Sequence, residues 1–113
     1  MPLAEQVGGL AEVHSVGGQA LSPLWNQIKA DVLNRPVLVP RVVDAAVVGA
    51  AILCGINVGA YAGRDQAVAS MVHIAQRFEP DPAQLERYTQ MYTSYCQLAP
   101  TLRDAARLLH GLQ

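Results

Sequence analysis

The stretch Val16-Gly17-Gly18-Gln19-Ala20-Leu21-Ser22-Pro23 decides the fold, because it joins a β-branched segment to a helix through two adjacent glycines. Glu12 to Val16 predicts a short strand, and Gly17-Gly18 allows a turn without Cβ strain. Ser22 predicts a helix N-cap, with Pro23 at the first helical position. Such a loop is typical of phosphate or nucleotide binding, since free N–H groups and the positive helix end attract anions. By itself, however, Gly-Gly most often forms an ordinary turn, so the residues alone favour a plain turn over nucleotide binding.

The segment after the loop predicts a helix and then a second strand. Its apolar residues recur at helical spacing as Trp25, Ile28 and Val32. We expect the helix to end near Asn34, because Pro36 disfavours helical geometry at the residue before it. Val37-Leu38-Val39 lies between two prolines and predicts a short strand.

Four helices are predicted after the second strand. The glycines of the helix that starts in the Ala45 region predict either tight packing against neighbours or an end of the helix near Gly55 or Gly59. We also expect Pro100 to break or kink the chain. Two short strands do not make a stable sheet, so this order indicates the end of a larger α/β domain.

The N-caps of the four later helices are expected at Asp44, Asp65, Asp81 and Thr101. In the helix after Asp65, the residues expected to face inwards are Val68, Met71, Val72 and Ala75.

Ala45 to Ala62 contains no charge over eighteen residues, which is near the lower limit for a membrane-spanning helix. Its Gly55 and Gly59 have the GxxxG spacing of packed membrane helices. However, the run is rich in alanine and glycine, and no flanking basic excess would set an orientation. We therefore expect a helix buried on all sides of a soluble protein, with no membrane partner. The N-terminus shows no signal peptide pattern, which favours a cytoplasmic location.

Composition excludes further classes of function. The 113 residues are 51% hydrophobic and carry a net charge of -1 without a basic run, so neither disorder nor nucleic-acid binding is expected. The two cysteines are expected to be reduced thiols, and the three scattered histidines predict no metal site. Asp31 could be a base, but a solvated charge or a local hydrogen bond is the favoured interpretation of a lone mid-helix aspartate. Tyr88, Tyr92 and Tyr95 suit half-buried packing better than ligand stacking. No catalytic residue is predicted.

The residues from Gly17 to Asp31 resemble the Gly-Gly-Gly-Ala-x-Ser-x-x-Trp-x-Gln-x-x-Ala-Asp segment of the FGGY carbohydrate kinases. Pro36-Val37 and the run from Gly49 to Gly59 continue the resemblance in register, and the tyrosine-containing tail resembles the family's closing helices. The match extends over roughly Glu12 to Leu109. Xylulokinase-type members are the most similar.

The resemblance implies an α/β fold, the C-terminal part of an actin-like (ribonuclease H-like) ATPase domain, with two short strands followed mainly by helices. Residues 1–113 would be the C-terminal segment of the second domain of an FGGY kinase. Within it, residues 12–40 would hold the strand, the adenosine-motif loop, a helix and a strand. Residues 43–113 would form a helical tail.

The resemblance also implies a function. Such kinases transfer the γ-phosphoryl group of ATP to a sugar or polyol hydroxyl with magnesium, and a xylulose-like substrate is favoured here. The nucleotide-binding residues by position are Gly17, Gly18, Gln19, Ala20 and Ser22. Gly18 is expected to adopt a positive φ and to let backbone approach the ligand.

Two residues depart from the family pattern. Gln19 replaces the usual third glycine, where it either crowds the adenine or hydrogen-bonds to it, and Leu21 replaces a frequent Arg or Lys. The family's Asp-x-Gly-Thr loop, catalytic aspartate and sugar pocket are not found in the sequence, so this chain alone is expected to be inactive. The alternative is a non-catalytic helical interaction module derived from the family. Either way, exposed apolar surfaces make self-association possible.

Overall fold

A computed structural model of the chain describes residues 9–111. Within that range lie three strands and four helices, with a 3-10 turn at Gly18–Leu21 before the first helix. The strands are β1 (Val13–His14), β2 (Val37–Pro40) and β3 (Ile74–Phe78). The helices are α1 (Pro23–Leu33), α2 (Ala45–Asn57), α3 (Arg64–Met71) and α4 (Pro82–His110).

The sheet has the order β1-β2-β3, with β2 in the centre. β1 pairs with β2 in parallel, Val13 opposite Val37, and the connection between them passes through the 3-10 turn and α1. β3 pairs with β2 antiparallel, with Val37 opposite Phe78 and an irregularity between Val39 and Pro40. Because β2 has a neighbour on each side, all four of its residues are buried.

Local signals predicted several helix ends correctly. Ser22 Oγ accepts a hydrogen bond from the Trp25 amide at 3.3 Å, and Asn34 ends α1 in the left-handed region with φ 49°. Asp44 Oδ1 accepts from the Val47 amide, and Asp81 Oδ1 accepts from the Ala83 amide. These caps fix where α1, α2 and α4 begin. α2 ends at Asn57, between the two glycines expected to stop it.

The predicted helix after Asp65 is wrong in its second half, because the chain forms β3 there and residues 43–113 are not wholly helical. α3 ends at Met71, and Ala75 lies in the strand. Asp65 lies in the first turn of α3, whose N-cap is Gly63 without a side-chain hydrogen bond. Pairing with the open edge of β2 outweighs the helical spacing of this segment, since strand formation depends on tertiary context.

Of the two effects expected at Pro100, a break or a kink, the break does not occur, and the new helix expected at Thr101 is wrong. α4 runs over 29 residues, with Pro100 inside it and Thr101 in its interior instead of at a new N-cap. An interior proline removes one N–H bond and crowds the carbonyl four residues earlier, and the turns on both sides of it keep the helix continuous. Thr89 and Thr93 hydroxyls donate to the carbonyls one turn before them.

α2 is not the buried helix that its composition predicts. None of its residues is buried, and Leu53 is 70% exposed. No helix within residues 9–111 is long and apolar enough to cross a membrane. The apolar face of α2 therefore lies open at the surface of this chain.

The dimensions of the molecule agree with this exposure. The radius of gyration is 19.5 Å, whereas a compact domain of this length has about 13 Å. α4 contributes most of the extension, since 29 helical residues span about 44 Å and none of them is buried. Much apolar surface on α2 and α4 is thus uncovered.

We predict that the isolated chain self-associates, because a large exposed apolar surface and an open strand edge favour association. Sedimentation velocity at low micromolar concentration should give a species larger than the monomer. Replacing two exposed apolar residues of α2, Val47→Lys with Leu53→Glu, should shift the distribution towards monomer. Arg64→Glu, an exposed change outside α2, is the control and should leave it unchanged. A monomer with a cooperative thermal transition would contradict the prediction.

Candidate functional site

The Gly-Gly loop leaves the carboxyl end of β1 through a left-handed residue. Gly17 has φ 79° and ψ −176°, a conformation that favours glycine, and its N–H donates to the Val43 carbonyl at 2.6 Å. The chain then forms the 3-10 turn, in which the Ala20 N–H donates to the Gly17 carbonyl at 3.0 Å. The loop is therefore an ordered turn held on one side by the segment after β2.

The positive φ expected at Gly18 belongs to Gly17 instead, because Gly18 already starts the 3-10 turn. A Cβ atom added at either glycine would meet no other atom within 4 Å. Both glycines are exposed, so the space above the loop is open. A ligand that contacts the backbone of the loop directly requires such open space.

Gln19 does not project freely over the loop. Its Oε1 accepts a hydrogen bond from Trp25 Nε1 at 3.0 Å. An indole N–H only donates, so the Gln19 amide must present its oxygen to Trp25 and keep its NH₂ group for other partners. The side chain of Gln19 is thus held against the start of α1.

The remaining predicted site residues have structural contacts. Ala20 is buried, and its side chain faces the interior instead of a ligand. The Ser22 hydroxyl oxygen already accepts from the Trp25 amide as the N-cap of α1. The structure therefore brings the five predicted residues together in one turn, of which only Ala20 is buried.

Sequence reasoning missed a buried polar cluster behind the loop. Asn26 Nδ2 donates to the Ala20 carbonyl at 2.8 Å, and the Ser15 hydroxyl donates to Asn26 Oδ1 at 2.9 Å. Lys29 Nζ donates to Ser15 Oγ at 2.8 Å and lies 5.7 Å from the centre of the Trp25 ring, within cation–π range. The cluster links the end of β1, the loop and α1.

The missed cluster follows from a wrong choice of the inner face of α1. The apolar stripe of Trp25, Ile28 and Val32 has two exposed members, and the buried residues are Asn26, Ala30 and Asp31. An alternative signal was present, since Asn26 and Ala30 are one turn apart and Ala30 is small enough for close packing. Hydropathy alone places asparagine outside, so it gives the wrong face.

Asp31 acts as the hydrogen-bond partner that sequence reasoning favoured over a base. It is buried, and its Oδ1 accepts from Gln27 Nε2 and from the Asp81 amide, both at 2.8 Å. Gln27 Nε2 also donates to the Glu79 carbonyl at 2.8 Å. These contacts attach the start of α4 to α1 through Asp31 Oδ1, so this carboxylate has a structural role.

A separate cavity of about 190 Å³ lies at the carboxyl ends of β1 and β2. It is smaller than the roughly 300–1,000 Å³ of typical ligand pockets. None of the five predicted site residues lines it. Its walls are mainly apolar side chains from the strand ends, α2 and the end of α3, among them Val16, Val42, Val48, Ile52 and Val72.

The pKa shifts in this chain lie away from the loop. The hydrogen bond to Glu79 raises the pKa of Arg77, and a side-chain hydrogen bond with Cys96 raises the pKa of Tyr92. Cys54 and Cys96 are exposed free thiols. In the part of the chain that the structure describes, no three His, Cys, Asp or Glu side chains are grouped to hold a metal ion.

Comparison with known proteins places the loop in a family. Residues 4–58 match the C-terminal domain of the FGGY family of carbohydrate kinases. Glycerol kinase of Aromatoleum aromaticum (strain DSM 19018 / LMG 30748 / EbN1) is 40% identical over 80 residues, which are 71% of this chain and 16% of that protein. Autoinducer-2 kinase of Yersinia enterocolitica is 40% identical over 65 residues, 58% of this chain and 12% of that protein. The matched part of the chain thus spans between an eighth and a sixth of the length of these curated relatives.

Solved structures agree with this placement. Xylulose kinase from Rhodospirillum rubrum superposes with a TM-score of 0.71 at 31% identity, over 91% of this chain and 21% of that one. The ligand-bound xylulose kinase from Lactobacillus acidophilus gives 0.80 at 17% identity, over 89% of this chain and 20% of that one, a likeness of fold. The predicted fold class is confirmed, with β3 as a third strand. The chain belongs to the FGGY family of carbohydrate kinases, whose C-terminal domain it matches.

Proposed function

We propose that this chain forms the ATP-binding side of a sugar kinase, an enzyme that transfers the γ-phosphoryl group of ATP to a sugar or polyol hydroxyl. The observation that carries the proposal is the open space above Gly17 and Gly18 in a chain of this family. Glycine at both positions allows a ligand to contact backbone directly. The residues proposed to line the nucleotide are Gly17, Gly18 and Gln19, with buried Ala20 and the N-cap Ser22 supporting the turn.

The hydrogen bonds of the turn support this assignment. The Gly17 N–H is used by Val43 and the Ala20 N–H by Gly17, so the turn makes no use of the N–H groups of Gly18 and Gln19. Backbone N–H groups next to a glycine turn suit phosphate or ribose oxygens. Because Trp25 holds the amide oxygen of Gln19, the NH₂ group of Gln19 is a further donor for an acceptor atom of the adenine base.

The acceptor and the metal belong to the finer part of the proposal. We favour a xylulose-like sugar because the Rhodospirillum rubrum protein is a xylulose kinase, while the curated relatives named above support glycerol or autoinducer-2 instead. Mg²⁺ would accompany ATP, but residues 9–111 present no metal-binding cluster, so we assign this chain no step that uses the metal. The catalytic residues are proposed to lie outside this chain, in a cytoplasmic enzyme.

A non-catalytic interaction module is the second candidate. It is favoured by the exposed leucines of α4, Leu98, Leu102 and Leu109, which are separated by four and seven residues. This spacing puts them near one side of the helix, where they suit a partner helix. The two functions differ in what the Gly-Gly loop does, so nucleotide binding distinguishes them.

We predict that the 113-residue chain binds ATP but transfers no phosphate. Trp25 is the single tryptophan, and its indole contacts Gln19 of the loop, so its fluorescence reports directly on a ligand there. Titration with ATP should give a saturable change, whereas xylulose alone should give none. Sugar-dependent ADP release should stay at the level of a chain-free control. An ATP titration without any change would favour the interaction module.

We predict that the two glycines differ in what substitution does. Gly18→Val adds a side chain into empty space, so thermal stability should stay near wild type while ATP affinity falls roughly tenfold or more, equivalent to about 1.4 kcal/mol. Gly17→Ala forces a side chain into a positive φ, which costs about 1–2 kcal/mol of stability. Thermal unfolding and Trp25 fluorescence measure the two effects. Unchanged ATP affinity in Gly18→Val would remove Gly18 from the site.

A further inference from the structure

We propose that Asn26 is a positioning residue for the nucleotide loop, and that its buried amide sets the conformation of the turn Gly18–Leu21. The ligand in this inference rests on the proposed function. The hydrogen bonds that carry the inference do not, because they lie within the chain itself. The FGGY segment quoted above specifies no residue type at the position of Asn26. The resemblance therefore assigns this residue no role.

The donors and acceptors of the cluster can be arranged in one direction only. A backbone carbonyl only accepts, so the Ala20 carbonyl requires Asn26 Nδ2 as its donor. Asn26 Oδ1 is then the acceptor and takes the Ser15 hydroxyl proton, while Ser15 Oγ accepts from Lys29 Nζ. The Ala20 carbonyl therefore fixes the orientation of the Asn26 amide, and Ser15 and Lys29 complete the chain of hydrogen bonds behind it.

Because these groups are buried, water cannot easily replace the hydrogen bonds between them. Asn26 is 0% exposed, Ala20 is 2% and Ser15 is 4% exposed. In the part of the chain that the structure describes, every buried side-chain nitrogen and oxygen has a hydrogen-bond partner. If the Asn26 donor is removed, water cannot reach the buried Ala20 carbonyl to replace the hydrogen bond. The carbonyl would then have to move to find another donor. The conformation of the turn thus depends on the Asn26 donor.

Two neighbouring residues of α1 hold two neighbouring residues of the loop. Trp25 holds the side chain of Gln19, and Asn26 holds the backbone of Ala20. Lys29 lies near both Trp25 and Asn26. Its ammonium is within cation–π range of the Trp25 ring and donates a hydrogen bond to Ser15, which in turn donates to Asn26. A turn held at two consecutive positions is ordered before a ligand arrives, and less ordering on binding means higher affinity.

Asn26→Asp tests the proposal, because it keeps the size of the side chain and replaces the Nδ2 donor with an oxygen that faces the Ala20 carbonyl. The matched control is Gln66→Glu, an amide-to-acid change far from the loop. The oxygen of Gln66 accepts from the Ala62 amide at 2.7 Å, a role that a carboxylate retains. Both variants are made in the full 113-residue chain.

The decisive readout is hydrogen exchange of the hydrogen-bonded loop amides of Gly17 and Ala20, compared with the amides of residues 37–39 in β2. In Asn26→Asp we expect exchange in the loop to become about tenfold faster, exchange in β2 to stay at the wild-type rate, and ATP affinity measured by Trp25 fluorescence to fall at least about threefold. Gln66→Glu should match the wild type in all three. Equal acceleration in the loop and in β2 would mean a general structural role and would overturn the proposal, as would an unchanged loop.

A second variant covers the case in which Asn26→Asp does not fold. Ser15→Ala removes the donor to Asn26 Oδ1 but keeps the bond to Ala20, so it should accelerate loop exchange less, again without affecting β2. Wild-type exchange in the Ser15→Ala loop would overturn the proposal. If the wild-type chain binds no ATP while Asn26→Asp still loosens the loop, the proposed function fails and the positioning role of Asn26 stands.

Discussion

The backbone hydrogen bonds that run from β1 to the segment of β2 are the interaction on which the rest of the structure depends. The amides of Val13, Ser15 and Gly17 donate to the carbonyls of Pro36, Leu38 and Val43 at 2.9, 2.8 and 2.6 Å. The first two donors alternate along the chain and meet alternate carbonyls, as in a parallel ladder. The third donor, the first glycine of the loop, leaves this ladder and donates to Val43, beyond the end of β2 at Pro40. The place of the loop is therefore set by the ladder to β2 on one side and by the segment after β2 on the other. The left-handed φ of Gly17 then turns the chain away from the sheet.

The parts of the fold that could be predicted are those decided by residues close in sequence. Ser22, Asn34, Asp44 and Asp81 act within one helical turn, so their spacing from the helix ends is visible in the sequence. β3 depends on an edge of β2 more than thirty residues earlier, and no local signal contains that edge. The site shows the same division. The Gly-Gly loop was found from its local pattern, whereas Asn26 was not, because Ser15 is eleven residues away and makes the asparagine a buried residue only in three dimensions.

The small core explains why so much of the chain is open. The buried apolar residues of the described chain are Ala20, Ala30, Val37, Leu38, Val39 and Ala67, most of them small and grouped around β2 and α1. Small side chains contribute little apolar area, so this core supports the sheet and the loop but does not cover α2 or α4. The open face of α2 lies beside the apolar cavity at the strand ends, which that helix also lines. The glycerol kinase named above is about six times as long as the part of it that matches this chain. A longer chain has further elements that can pack against such open faces.

The two departures from the family pattern in the loop have physical consequences that offset each other. Gln19 is larger than the glycine it replaces, but its hydrogen bond to Trp25 holds it against α1, so the space above Gly17 and Gly18 stays open. Leu21 removes a frequent positive charge and is exposed at the far end of the turn. Lys29 provides an ammonium group behind the same loop, where Ser15 and the Trp25 ring hold it. The loop proposed to bind nucleotide thus combines open backbone at Gly17 and Gly18 with an ammonium group on its α1 side, and both features favour an anionic ligand.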